Sequence, residues 1–189
     1  ILLDELLDPR ALSDPLDKAG LQGVLDVRLA GIPADDLEQH LDQLRQFTQA
    51  SVLHVAATAI VALLPVPRVG DHRTVVAARV LERVLQQAWD HLVERHGQPG
   101  YMRHGKLREA RFGIVGFGKL GGFELGYGAD LVIVFMHDSS GTERHTPGPN
   151  VIDNNEFFTR LSQRIIHYLN TYTSAGILYE VDMRLRPNG

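Results

Sequence analysis

Apolar positions in the first half of the chain recur at helical spacing. Leu37, Leu41, Leu44, Phe47, Val52, Val55 and Ile60 mark one long helix, which continues as far as Pro65. Pro33 opens it, with Asp35, Asp36 and Glu38 in the first turns, where the helix dipole favours acids. Upstream, Leu2 to Leu7 is a short apolar segment closed by Pro9. Pro65 to Gly70 reads as a loop. Asp71 then caps a second long helix carrying Val75, Val80, Val84, Leu85, Trp89 and Leu92 to about His96. Gly97 to Gly105 holds three glycines and a proline and reads as a linker.

Beyond the linker the period changes. Phe112 to Phe117 predicts a short strand, and Leu131 to Met136, a continuous apolar run, predicts a buried one. Between them, Gly116 to Gly128 contains six glycines and forms a tight loop that exposes backbone. His137 to Asn150 is polar, with Gly and Pro, and is expected to be a mobile loop. Phe157 to Leu169 predicts an amphipathic helix, and Ile177 to Leu185 alternates as a strand. The expected class is α+β: a helical part over 1–105, then a small α/β unit with a mixed sheet over 106–189. No repeat of solenoid period is visible.

Composition narrows the function. The 189 residues are 44% hydrophobic, enough for a sizeable core. A formal net charge of −4 with no basic stripe argues against a nucleic-acid partner. No apolar stretch is long enough to span a bilayer and no signal-like segment is present, so no membrane partner is expected. The absence of cysteine excludes disulfides and thiolate metal sites and is compatible with a reducing compartment; the expected location is cytoplasmic. The nine histidines are scattered, without metal-ligand spacing, and read as surface and helix-end residues. The chain starts at Ile1 and stops abruptly after Gly189, and is expected to be a fragment of something longer.

Three features carry candidate chemistry. The loop Gly116-Phe117-Gly118-Lys119-Leu120-Gly121-Gly122 follows a strand, and its backbone amides suit a phosphate. A plain glycine-rich turn is the competing reading. It is not a P-loop, because no Gly-Lys-Ser/Thr occurs. It fits a dinucleotide fingerprint poorly, because the next strand begins too soon for a helical crossover. Asp130 is a lone acid at the mouth of an apolar strand, costly there unless paired or cation-bound. Glu180, Asp182, Arg184 and Arg186 share one face of the last strand. That face is either merely solvated or suited to a metal and a phosphate, with carboxylates for the cation and guanidinium forks for phosphate oxygens.

The stretches GFGKLGGFELGYGADLVIVFMHD (Gly116 to Asp138) and SAGILYEVDMRLRPNG (Ser174 to Gly189) resemble the signature segments of the glutamine synthetase adenylyltransferase family. LLDELLDP at the start, LRQFTQA at Leu44 and the Asp71-His72 pair extend the resemblance over essentially the whole chain. The wording is more like the C-terminal, adenylylating domain than the N-terminal, deadenylylating one. The resemblance implies a nucleotidyltransferase core of the polymerase-β type. It implies transfer of AMP from ATP to a tyrosine of glutamine synthetase, with release of pyrophosphate. ATP and Mg2+ are the implied cofactors, and glutamine synthetase, a PII signalling protein and the effector glutamine the implied partners. Asp130 and Asp182 correspond to metal ligands, with Asp182 also placed to deprotonate the tyrosine. Gly116, Gly118, Lys119 and Gly121 correspond to the phosphate cradle, and Arg184 and Arg186 would balance triphosphate charge. The family pattern, however, has Asp-x-Asp where this chain has Asp130-Leu131-Val132. Valine has no oxygen, so the sequence also admits a non-catalytic module that binds ATP or a partner protein.

Overall fold

The computed structural model describes residues 17–33, 35–60, 65–140, 142–173 and 175–182. Among the described residues three helices come first: α1 (Lys18–Leu29), α2 (Leu37–Ile60) and α3 (Val66–His96). There follow β1 (Gly100–Arg103), β2 (Lys106–Glu109), β3 (Phe112–Phe117), the single turn α4 (Gly118–Gly121), β4 (Leu131–His137), β5 (Thr142–His145), α5 (Asn154–Asn170) and β6 (Val181–Asp182). The class is α+β, with a helical segment first. No helix among the described residues is long and apolar enough to cross a membrane.

Helix α3 is the spine. Val76, Ala77, Val80, Val84, Ala88 and Leu92 are buried along it, packed against α2 and α5. Helix α5 returns Phe157, Phe158, Leu161, Ile165 and Leu169 to the same core. Phe158 anchors an aromatic group. Its ring stacks on Phe112 and His137, and Phe157 meets Trp89 edge-to-face at 5.6 Å. This group ties the sheet to both helices.

Among the described residues there are two three-stranded sheets, ordered β2-β1-β5 and β3-β4-β6. In the second, β3 pairs antiparallel with β4 and β4 pairs parallel with β6, so that sheet is mixed. The antiparallel β3–β4 pair also excludes a dinucleotide βαβ unit around the glycine loop.

The structure departs from the sequence reading in several places. The pattern assigns nothing to residues 18–29, which form α1; Gly20 and Gly23 mute its periodicity, and Asp17 caps it through the Gly20 amide at 2.8 Å. Helix α2 begins at Leu37, capped by Asp36 through the Gln39 amide at 3.0 Å, and not at Pro33. Helix α3 begins at Val66, so the expected loop at Pro65–Gly70 is its first turn and Asp71 is not a cap. A proline in the first helical turn costs nothing, because its missing N–H has no partner there anyway.

The expected linker at Gly97–Gly105 contains β1, which pairs with both β2 and β5. The hairpin from Arg103 to Lys106 therefore crosses residue 105. The expected mobile loop contains β5, and its following segment is anchored. Gly148 donates to the His96 carbonyl at 2.8 Å, and the buried His96 Nδ1 lies 2.7 Å from the Asn150 carbonyl. Of the expected strand Ile177–Leu185, only Val181–Asp182 pairs among the described residues. The amides of Leu178 and Tyr179 instead donate to the Leu169 carbonyl at the end of α5. Leu2–Leu7, Pro9 and Met183–Leu185 lie outside the described residues.

Candidate active site

Residues directly opposite in paired strands share a face, and the register of the second sheet therefore sorts its side chains. Gly116 pairs with Ile133 and Ile114 with Phe135, on the face turned to the helices, where Ile133 is fully buried. Phe117 pairs with Val132, and Val132 pairs with Asp182, on the opposite, open face. Gly118 follows Phe117 in the left-handed region, at φ 55°. A methyl group built on it would lie 3.9 Å from the Val132 Cγ2. Gly118, Val132 and Asp182 thus form one row across three chain segments.

Asp130 stands two residues before Val132, exposed, with Glu180 across from it; the Leu131 amide donates to the Glu180 carbonyl at 2.8 Å. Strand geometry sets neighbours about 4.8 Å apart laterally and alternate residues about 6.6 Å apart along the chain. Asp130 and Asp182 are therefore about 8 Å apart at their Cα atoms, with Val132 nearer to each than they are to one another. Carboxylates are the right donors for Mg2+. Asp130 and Asp182 carry such groups, whereas the position between them offers only methyl groups. Among the described residues, no three acidic, histidine or cysteine side chains approach closely enough to hold a metal ion.

The glycines of the turn divide their tasks. Gly118 faces the open side. Gly116 and Gly121 allow the turn to fold back on β3: a methyl group on Gly121 would sit 2.6 Å from the Gly116 carbonyl oxygen. A methyl group on Gly116 would sit 2.9 Å from the Leu120 side chain. Both line a cavity of about 450 Å³ on the helix side, with Thr74 and Arg79. Lys119 is exposed on the turn, and its carbonyl accepts from the Glu124 amide at 2.8 Å. Arg184 and Arg186 lie outside the described residues.

Two arginines to which the sequence pattern assigned no role brace the segments that precede these acids. Arg73, on α3, reaches the loop after the glycine turn: Nε donates to the Leu125 carbonyl at 3.2 Å and Nη2 to the Gly126 carbonyl at 3.0 Å. Arg45, on α2, is buried and donates from Nη2 to the Thr171 carbonyl at 2.8 Å, while Asp42 accepts from its Nη1 and from the Thr173 hydroxyl, each at 3.1 Å. The signal available in sequence was an arginine inside an apolar row, as in Arg73, Ala77, Val80 and Val84. A second cavity, of about 270 Å³, opens beside Asp130 and Glu180 and is lined by Thr48, Arg73 and Tyr179. Burial pushes the Tyr179 hydroxyl up to about 12, against the opposing pull of Arg73 and of a hydrogen bond with Thr48.

Comparison with known proteins places the chain in a family. The family model described as glutamate-ammonia ligase adenylyltransferase matches residues 1–189. A bifunctional glutamine synthetase adenylyltransferase/adenylyl-removing enzyme of Thioalkalivibrio sulfidiphilus is 54% identical over 189 residues, covering all of this chain and 20% of that protein. Enzymes of the same description from Vibrio parahaemolyticus and Hahella chejuensis are 48% and 47% identical, again over the whole chain and 20% and 19% of their own lengths. The chain thus spans about a fifth of the length of the curated relatives it matches.

Proposed function

The chain belongs to the glutamate-ammonia ligase adenylyltransferase family, and on that premise we propose that its open sheet face is the adenylylating site. The reaction is transfer of AMP from ATP to a tyrosine hydroxyl of glutamine synthetase. The tyrosine oxygen forms a bond to the α-phosphorus, the bond to pyrophosphate breaks, and the hydroxyl proton passes to Asp182. The Gly118–Lys119 turn approaches the phosphates, which a backbone without a Cβ allows. Bound Mg2+ neutralises triphosphate charge in such a reaction. Asp130 and Asp182 are the residues that would hold it here. Glutamine and a PII signalling protein tune the reaction, and the cytoplasm is its compartment.

The observation that carries this reading is the row Gly118, Val132, Asp182, with Asp130 one pleat away. The same row limits it. Val132 occupies the inner acid position of the family pattern, so this chain carries the site one carboxylate short and turns over slowly or not at all. That substitution favours a second reading, a module that binds ATP or a partner without catalysis.

The deciding experiment sets Val132→Asp against the unsubstituted chain. Each is incubated with labelled ATP, Mg2+ and glutamine synthetase, and AMP on the synthetase is counted. Transfer by the aspartate variant alone supports a disabled enzyme. Transfer by both means that another group, such as Glu180, supplies the third donor, and the argument from Val132 fails. If neither transfers label, calorimetric titration with Mg2+ and ATP separates the readings: binding supports the module, and no binding removes both.

A further inference from the structure

Arg73 is a charge in an apolar row. It is 7% exposed, among Thr74, Val76 and Ala77, all buried on α3. Burying a guanidinium is costly unless its donors are met. Two of them are met by consecutive main-chain carbonyls, Leu125 and Gly126, and the flat face is met by the Tyr127 ring, 4.0 Å from the guanidinium carbon. This use of in-plane donors together with a stacked face is available to arginine and not to lysine. One turn earlier, Gly70 lets the same helix touch the loop directly: a methyl group there would sit 3.1 Å from the Glu124 Cα and 3.2 Å from the Phe123 carbonyl oxygen.

The loop needs such a hold. Phe123 sits at φ 59°, a conformation that aromatic residues rarely adopt. Gly128 follows at φ 64°. Three residues after the Tyr127 that Arg73 stacks on comes Asp130, at the mouth of β4. Among the described residues Nη1 of Arg73 is buried without a hydrogen-bond partner, so the side chain's hydrogen bonds to the loop run through Nε and Nη2.

We infer that Arg73 is a positioning residue: its fork on Leu125 and Gly126 sets where Asp130 stands on the open face, so that helix α3 fixes the geometry of the site. This rests on the reading of Asp130 and Asp182 as cation ligands.

The test uses the full chain carrying Val132→Asp, with Mn2+ alone as the probe, read by loss of the free-ion paramagnetic signal. Amide hydrogen exchange and thermal unfolding are measured alongside. Arg73→Ala is expected to speed exchange of the Glu124 and Ala129 amides at least ten-fold and to weaken Mn2+ binding at least ten-fold. Exchange within β4 stays at the parental rate. Arg73→Lys keeps the charge without the fork and falls between the two.

Gly70→Ala serves where loss of Arg73 prevents folding. It favours the helix but pushes the loop, so it is expected to weaken Mn2+ binding without lowering the melting temperature. Unchanged loop exchange in both alanine variants overturns the inference. So does faster exchange with unchanged Mn2+ affinity, which makes Arg73 a stabilising contact only. A Val132→Asp chain that takes up no Mn2+ before any further substitution overturns the site reading and the inference with it. That outcome is recognised because it precedes the Arg73 variants.

Discussion

Placing a carboxylate at position 132 has a stability consequence that needs no turnover. Val132 is half-buried between Gly118 and Asp182. Removing its partial burial costs about 1 kcal/mol, half the value for a fully buried valine. The new carboxylate stands in register with Asp182, about 5 Å away by strand spacing. Like charges at that distance repel by about 1–3 kcal/mol between the limits of bulk water and a protein surface. In the absence of divalent cation, Val132→Asp is therefore expected to be about 2–4 kcal/mol less stable than the unsubstituted chain. At about 2–4 °C per kcal/mol for a chain of this size, its melting temperature falls by about 4–16 °C.

Two conditions should reverse the loss. A cation shared by the acids converts repulsion into binding and returns about 2.7 kcal/mol at a hundred-fold excess over its dissociation constant. Acid does the same by a different route. A carboxylate crowded by like charges is held above its ordinary range in the folded state, so the deficit is full at neutral pH and shrinks as pH falls through that raised value. The assay is thermal unfolding of both chains with chelator, with Mg2+ and with Mn2+, repeated across acidic pH. If the variant matches the unsubstituted chain in chelator, or if no divalent ion raises its melting temperature, position 132 does not stand among the acids and the register argument is wrong.

Three further outcomes follow from the packing. Asn154 is fully buried and donates to the Gly100 carbonyl at 2.7 Å and to the Ser139 hydroxyl at 2.8 Å, joining α5 to β1 and to the segment just after β4. Asn154→Leu strands both acceptors and is expected to cost about 2–4 kcal/mol, read from urea unfolding at unchanged slope. Gly148→Ala puts a methyl group 2.3 Å from the His96 carbonyl carbon, where only backbone can give way, and is expected to cost about 1–3 kcal/mol in the same assay. The Tyr179 hydroxyl, raised by burial to about 12 from an ordinary value of 10.0, stabilises the fold fully below pH 10. That contribution is lost as pH rises towards about 12, so the chain is expected to lose stability across that alkaline window, and Tyr179→Phe to lose less of it.

Much of this protein was determined by its sequence, and the reason is physical in each case. The long apolar rows of α2 and α3 and the amphipathic run of α5 specify helices because each has a single stripe to bury. The uncharged run Leu131–Met136 specifies an interior strand, and the glycines before it a tight turn. Asp130, Asp182 and the valine between them in the family pattern are likewise legible, since a missing oxygen needs no coordinates to be noticed. What only the tertiary structure decided depends on partners distant in the chain. The strands β1 and β5 are four residues each, too short for a period to show, and exist because they pair with each other across some forty residues. That Gly116 and Gly121 let the turn lie back on β3 shows only in the packing. Arg73 and Arg45 stand inside apolar rows in one dimension, but nothing there names their partners. They become loop braces only when carbonyls fifty-two or more residues away come within hydrogen-bond reach. Periodicity reports which face of an element avoids water; it carries no record of which distant carbonyl that face will meet.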